Sequence, residues 1–186
     1  MSKLVVFNQV SLDGYFVDAM GDMSWAHKND PEWNAYTAEN ASGGGVLLFG
    51  RVTYEMMKGF WPTPAARQVN AVVADRMNQL PKVVFSRTLD RADWQNTKLV
   101  KGDIAAEVAR LKKQPGPNLV LMGSGSIVAQ LSAAGLVDEY QLVLNPIVLG
   151  DGRTMFEGLP KKLDLRLEGS RVFKNGNVVL TYERTA

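Results

Sequence analysis

The sequence contains no cysteine and only one histidine, His27. The absence of cysteine excludes disulfide bonds, zinc–thiolate sites and a cysteine nucleophile. A lone histidine is more often a surface or structural residue than a catalytic one, and no dense set of carboxylates accompanies it, so metal-dependent hydrolysis has poor support. The sequence also lacks Gly-x-Ser-x-Gly, which excludes a nucleophile elbow.

The sequence also has little net charge and no long apolar run. The formal net charge is only +2 and no lysine- or arginine-rich block occurs, so a nucleic-acid partner is not expected. No apolar run approaches the ~20 residues of a membrane span, and residues 1–3 lead into a strand-like segment without a signal peptide. We therefore expect a cytoplasmic protein without a membrane partner. The length and the absence of a linker predict one domain over residues 1–186.

Apolar, β-branched runs alternate with segments of helical period, which is typical of an α/β domain. Asp30-Pro31, Thr63-Pro64 and Asp103 mark helix starts. In the C-terminal third, apolar and polar residues alternate on both sides of Asn175-Gly176. An Asn-Gly pair between two such segments is a strong signal for a β-hairpin. We predict a mixed, mostly parallel sheet that ends in an antiparallel hairpin. The expected parallel-type strands cover residues 4–7, 46–49, 82–85, 118–122 and 139–145, and the helix after Thr63 carries Val69, Val72, Val73 and Met77 at helical spacing.

A glycine-rich turn follows the fourth of these strands and opens a helix. It consists of Gly123, Ser124, Gly125 and Ser126. Glycines there let a pyrophosphate approach the backbone, and the free N–H groups at the start of the helix favour an anion. The alternative is a tight strand-to-helix turn without a ligand.

Two further turns carry polar groups where a strand ends. Ser86, Arg87 and Thr88 could hold a ribose 2′-phosphate, although a solvated turn is the simpler explanation of this segment taken alone. Gly50, Arg51 and Thr53 begin another helix, for which capping with an exposed Arg51 is the alternative. Open α/β sheets bind ligands beyond the carboxyl ends of their strands, so three such turns together predict one edge with sites for two phosphate groups.

The long loop after the first strand is aromatic and contains glycine, which is typical of a lid over a ligand. Tyr15, Phe16 and Trp25 indicate that it packs on something. Acids at the start of the first helix are Asp30 and Glu32, and Asp30 is well explained as a helix cap. A chain with few acid–base groups and a dinucleotide site favours hydride transfer, because the cofactor then supplies the reactive atom.

Six motifs occur in order along the chain: VSLDG (10–14), LFGRVTYE (48–55), VVFSRTL (83–89), MGSGSI (122–127), LVDEY (136–140) and PIVLGDG (146–152). Together they resemble the dihydrofolate-reductase-like superfamily, and more particularly stand-alone relatives of the reductase domain of the bifunctional riboflavin-biosynthesis deaminase–reductase. We expect no deaminase domain, and Tyr15 stands where those reductases usually carry lysine.

The resemblance implies a three-layer α/β sandwich, a homodimer and an NADPH-dependent oxidoreductase that reduces a small heterocyclic molecule. The most similar activity is 5-amino-6-(5-phosphoribosylamino)uracil reductase of riboflavin biosynthesis. The alternatives are a dihydrofolate or pterin reductase and an NADP(H)-binding module without turnover. The implied cofactor residues are Gly50, Arg51 and Thr53 at the phosphates, Ser86, Arg87 and Thr88 at the 2′-phosphate, Gly123, Ser124, Gly125, Ser126 and Ile127 at the pyrophosphate, and Val10, Tyr15 and Phe16 at the nicotinamide, with Asp30 or Glu32 as the acid.

Overall fold

The structure is a computed structural model that describes residues 1–26 and 28–185. An eight-stranded sheet forms its centre, in the order β5-β4-β3-β6-β1-β7-β10-β9. The first six strands in this order are mutually parallel, and β10 and β9 run antiparallel as a hairpin at one edge. The strands are β1 (Leu4–Val10), β3 (Val46–Gly50), β4 (Lys82–Phe85), β5 (Thr97–Val100), β6 (Leu119–Met122), β7 (Glu139–Leu144), β9 (Leu165–Val172) and β10 (Val178–Arg184).

Helices cover both faces of this sheet, because its central strands are apolar on both sides. Helices α4 (Ile104–Lys113) and α5 (Gly125–Ala133) pack on one face through a cluster that includes Val108, Val128 and Leu131. Helices α1 (Pro31–Ser42), α2 (Arg51–Phe60) and α3 (Pro64–Gln79) lie on the other face. There Trp33 packs with Val143, and Tyr54 and Met77 pack with Phe49. The predicted sandwich of three layers is confirmed.

Two neighbouring strands send their helices to opposite faces, which creates a crevice at the carboxyl edge of the sheet. Leu48 of β3 pairs with Leu121 of β6. The chain passes from β3 into α2 on one face and from β6 into α5 on the other. Such a topological switch point is where open α/β sheets bind their ligands. The fold therefore places the predicted glycine turns at the two sides of one crevice.

The helix predicted after Thr63 exists but is interrupted. Asn70 has an extended backbone (φ −159°, ψ 102°), and its side-chain oxygen accepts a hydrogen bond from the Val73 N–H at 3.2 Å. The apolar periodicity predicted one straight helix with Val69 and Val72 on its buried face. In the interrupted helix both side chains are about half exposed. Val73 and Met77 still pack inward. Within residues 1–26 and 28–185, no helix has the length and apolar character needed to cross a membrane.

Candidate active site at the carboxyl edge of the sheet

The turn after β6 is held open by an unusual backbone and by a buried asparagine. Gly123 and Ser124 both have φ of +60°, the left-handed region that favours glycine. The side chain of Asn8, buried on β1, brackets this turn: its Oδ1 accepts from the Gly123 N–H at 2.5 Å and its Nδ2 donates to the Gly123 carbonyl at 3.3 Å. Asn8 is a site residue that the sequence analysis missed. Its one signal is that it belongs to a pair of amides, Asn8 and Gln9, near the end of an otherwise apolar strand.

The turns after β3 and β6 are bonded to each other. The Ser124 hydroxyl accepts from the Gly50 N–H at 2.7 Å and donates to Oγ1 of Thr53 at 3.1 Å. Gly123 then lies so close to α2 that a Cβ atom on it would stand 2.6 Å from Oγ1 and 2.8 Å from Cγ2 of Thr53. The structure thus brings four predicted residues, Gly50, Thr53, Gly123 and Ser124, into one contact network.

The two helices that begin at this crevice differ from the other three at their first turns. Side chains cap α1, α3 and α4: Asp30, Thr63 and Asp103 accept from the backbone N–H three residues further on. Among the described residues, no side chain caps α2 or α5. Uncapped N–H groups and the positive ends of two helix dipoles therefore meet at one place, and together they favour an anion.

The turn after β4 lies beside this crevice. Phe85 pairs with Gly50, so Ser86 and Arg51 follow neighbouring strand ends. The Ser86 hydroxyl accepts from the N–H groups of Thr88 (3.2 Å) and Leu89 (3.0 Å), which fixes a tight turn and leaves Arg87 exposed. Arg51 forms an exposed ion pair with Glu55 at 2.9 Å. Arg87 has no ion pair within the described part of the chain, so its guanidinium is available to a ligand.

The loop after β1 is fixed by the carboxylate of Asp13. Its Oδ1 accepts from the Ser11 hydroxyl at 2.6 Å and the Leu149 N–H at 3.1 Å, and its Oδ2 accepts from the Gly150 N–H at 2.7 Å. The hydrogen bond from Ser11, with help from the two backbone N–H groups, lowers the pKa of Asp13 to about 2. Asp13 thereby ties this loop to the segment that follows β7.

The aromatic part of the same loop lies against the first turn of α5. Residues Tyr15–Val17 form β2, which pairs with β8 (Arg153–Thr154) in a separate two-stranded sheet. A Cβ atom on Gly125 would stand 2.8 Å from Cε1 of Phe16. The expectation that this loop packs on something is confirmed, and Phe16 packs at the anion-favouring crevice. Val10, the last residue of β1, is buried, and Tyr15 is partly buried.

Replacing Asp13 by asparagine is expected to destabilise the protein at neutral pH and much less in acid. The folded carboxyl has a pKa of about 2 against its ordinary 3.8. Its contribution to the free energy of unfolding is therefore present above pH 3.8 and is lost as the pH falls through about 2. Urea unfolding at several pH values measures the difference between wild type and variant. Asp90→Asn, at an exposed acid on another loop, serves as the control; a difference for Asp13→Asn that stays constant with pH contradicts this account.

The two predicted acids begin α1 at the same edge of the sheet, on the side of β7 and β10. Asp30 Oδ1 accepts from the Trp33 N–H at 2.9 Å, as a helix cap does. Glu32 faces Arg171 of β9 at 3.6 Å. Neither carboxylate belongs to the network around Gly123, and their role as proton donors stays a prediction. His27 lies outside the described residues.

Comparison with known proteins agrees with this fold. The family model of the RibD C-terminal domain matches residues 2–179. The uncharacterized protein YyaP of Bacillus subtilis (strain 168) is 28% identical over 180 residues, which cover 97% of this chain and 94% of YyaP. A solved structure from Shewanella sp. PV-4, named for riboflavin biosynthesis, is 26% identical with a TM-score of 0.75 over 99% of both chains.

A more distant structure shares the fold alone. Dihydrofolate reductase from Enterococcus faecalis, solved as a complex with NADP(H), is 16% identical with a TM-score of 0.63, and the match covers 99% of this chain and 97% of that one. The resemblance noted in the sequence is confirmed at both levels, the superfamily fold and the narrower family. The chain belongs to the RibD C-terminal domain family, whose reductase-type fold it carries from β1 to the C-terminal hairpin.

Proposed function

We propose that this protein is an NADPH-dependent reductase that transfers hydride to a small heterocyclic substrate, similar to 5-amino-6-(5-phosphoribosylamino)uracil reductase. One observation carries the proposal: the uncapped first turns of α2 and α5 meet around Gly123 at the topological switch point of the sheet. Membership of the RibD C-terminal domain family and the fold shared with an NADP(H)-bound reductase support it.

The residues at the crevice fit a dinucleotide. The close approach of Gly123 to Thr53 leaves no room for a side chain at this turn, and we propose that the backbone itself contacts the ligand. We propose that Gly50, Arg51 and Thr53 hold the phosphates from the α2 side, and that Gly123, Ser124, Gly125, Ser126 and Ile127 hold the pyrophosphate from the α5 side. When bound, NADPH would supply the hydride. Val10, Tyr15 and Phe16 would border its nicotinamide and exclude water from it.

Reduction also requires a proton, because a hydride adds two electrons but only one of the two hydrogens that the substrate gains. The acids at the start of α1 are the candidates. Asp30 uses Oδ1 as a helix cap, and its Oδ2 has no hydrogen bond to any residue that the structure describes. Glu32 is engaged with Arg171. We therefore propose that Asp30, rather than Glu32, delivers the proton to the substrate atom that becomes negative.

Replacing Arg87 by alanine is expected to weaken NADPH binding by roughly 1.5–3 kcal/mol, the contribution of a hydrogen bond to a charged group. NADH binding should change little, because NADH lacks the 2′-phosphate that Ser86, Arg87 and Thr88 are proposed to contact. Isothermal titration with both cofactors measures the two affinities. Arg76→Ala, which removes the same charge from the C-terminal turn of α3 at the opposite edge of the sheet, is the control. Equal losses for NADPH and NADH would remove Arg87 from the 2′-phosphate site.

The substrate is tested by NADPH oxidation with 5-amino-6-(5-phosphoribosylamino)uracil and with dihydrofolate. Oxidation with the first supports the proposed function, and oxidation with dihydrofolate alone favours the pterin reductase. Tight NADPH binding without oxidation by either favours an NADP(H)-binding module. A homodimer and a cytoplasmic location stay predictions. Leu167 and Val172 are exposed on the edge strand β9 and offer an apolar surface for a homodimer. Light scattering, which measures the molar mass in solution, tests whether the dimer forms.

A further inference from the structure

A row of side-chain amides lies across the sheet where β1, β7 and β10 reach the crevice edge. Val143, Val179 and Trp33 form an apolar layer under α1. On the same face, Gln9 of β1 pairs with Val143, and Asn145 and Asn177 lie two residues closer to the carboxyl edge than Val143 and Val179. Asn145 and Asn177 are fully buried, just beyond the paired Leu144 of β7 and Val178 of β10.

The orientation of one of these amides follows from its surroundings. Nδ2 of Asn145 donates to the backbone carbonyls of Val143 (3.1 Å) and Val10 (3.3 Å). A flipped amide would place its oxygen against two carbonyl oxygens, which is repulsive, so the nitrogen must face them. The same Nδ2 donates to Oε1 of Gln9 at 2.9 Å. The side chain of Gln9 is therefore oriented with its Oε1 toward Asn145 and its Nε2 pointing away from Asn145.

The other atoms of this row show that the arrangement does not serve packing alone. Oδ1 of Asn145 and both side-chain polar atoms of Asn177 are buried without a partner among the described residues. A buried polar atom without a hydrogen bond is unfavourable and calls for an explanation, of which a functional role is one. Nε2 of Gln9, by contrast, is not among the sealed atoms, and Gln9 is only partly buried.

The first turn of α1 lies on the same face of the sheet, toward the same edge. α1 begins at the carboxyl edge because it connects the end of β1 with the start of β3. Asp30 precedes Trp33 by one helical turn, and Asn145 follows Val143 by two strand residues, so both are displaced in the same direction from the apolar layer. Gln9 and the acids of α1 therefore lie on one face of the sheet, toward its carboxyl edge.

We propose that Gln9 determines substrate specificity: its Nε2 donates a hydrogen bond to a carbonyl oxygen on the substrate ring, and Asn145 is the positioning residue that keeps the amide in this orientation. The class of ligand is a heterocycle with a ring carbonyl, which includes pyrimidinones and pterins. The inference rests on the proposed function, because it assumes that this end of the sheet receives the ring to be reduced.

The test uses uracil as a minimal ring carbonyl and does not depend on turnover. Protein labelled with ¹⁵N in glutamine side chains is titrated with uracil, and the Gln9 resonance is assigned from its loss in Gln9→Leu. We expect uracil to shift the Gln9 Nε2 resonance in a saturable way, and Gln9→Leu to weaken uracil binding at least tenfold. Gln9→Glu, which replaces the donor by an acceptor of the same shape, should weaken it further. Asn145→Ala should reduce the shift of the Gln9 resonance.

Gln141→Leu is the matched control, since Gln141 lies on the same face of β7 but near its amino end, where it donates to Glu139. It should leave the uracil response unchanged. The proposal is overturned if the Gln9 Nε2 resonance does not shift up to the solubility limit of uracil. It is also overturned if Gln9→Glu binds uracil as tightly as the wild type or more tightly. NADPH is titrated into the same samples: a normal uracil response without NADPH binding contradicts the reductase function alone, and the reverse result contradicts the role of Gln9 alone.

Discussion

Replacing Gly123 by valine is expected to abolish measurable NADPH binding, with an increase in Kd of at least about 100-fold, or about 3 kcal/mol. The first Cβ atom would already stand 2.6 Å from Oγ1 of Thr53, so the start of α2 must move away from the turn after β6. The hydroxyl bridge from Ser124 to Thr53 would be lost with it. The φ of +60° adds about 1–2 kcal/mol of strain for any residue with a Cβ.

The matched control is Gly59→Val, in the last turn of α2, where a Cβ atom would meet nothing within 4 Å. Isothermal titration below the unfolding temperature measures NADPH binding, and circular dichroism checks that both variants fold. We expect Gly123→Val to fold with reduced stability, because the main apolar cluster does not include the turn. If a folded Gly123→Val protein bound NADPH like the wild type, the pyrophosphate would have to lie elsewhere.

Replacing Asp30 by asparagine is expected to lower the rate of substrate reduction by about 10²–10⁴, the usual contribution of general acid catalysis. Asparagine is as good a helix cap as aspartate, so the hydrogen bond to the Trp33 N–H and the start of α1 are kept. The variant loses only the transferable proton. NADPH affinity and thermal stability should therefore stay close to those of the wild type while turnover falls.

Glu32→Gln is the matched comparison, two residues further on in the same helix. Its ion pair with Arg171 is partly exposed, and such pairs contribute little, about 0–1 kcal/mol. We expect a small effect on turnover. Stopped-flow measurement of NADPH oxidation with saturating substrate separates the chemical step from binding. A large loss in Glu32→Gln with normal turnover in Asp30→Asn would reverse the assignment, and normal turnover in both variants would place the proton donor outside α1.

The sequence predicted the glycine turn well because its signal is local. A strand, a run of glycines and serines, and a helix follow one another within residues 119–133. The hydrogen bond that joins this turn to the turn after β3 could not be predicted from the sequence, because Ser124 and Gly50 are 74 residues apart. Asn8 was missed for the same reason: its hydrogen bonds to Gly123 span 115 residues, and in the sequence it is one of two adjacent amides in a strand.

Two details of the secondary structure were predicted wrongly, one because a tertiary contact interrupts a helix and one because a short strand has a weak sequence pattern. The apolar period of residues 69–77 indicated one continuous helix, but Asn70 donates to the Asn34 carbonyl of α1 at 3.0 Å and interrupts it. The edge strand β5 was not predicted, because Thr97–Val100 is short and mostly half-buried, without the apolar run of a central strand. Neither difference changes the crevice, which depends on β3 and β6.

We propose that the turns after β3, β4 and β6 form one groove for a phosphorylated dinucleotide. The most direct measurement is a calorimetric titration of the wild-type protein with NADPH and, separately, with NADH. We predict saturable binding of one NADPH per chain and weaker binding of NADH. The absence of saturable binding for both, or equal affinity for the two, would contradict the claim.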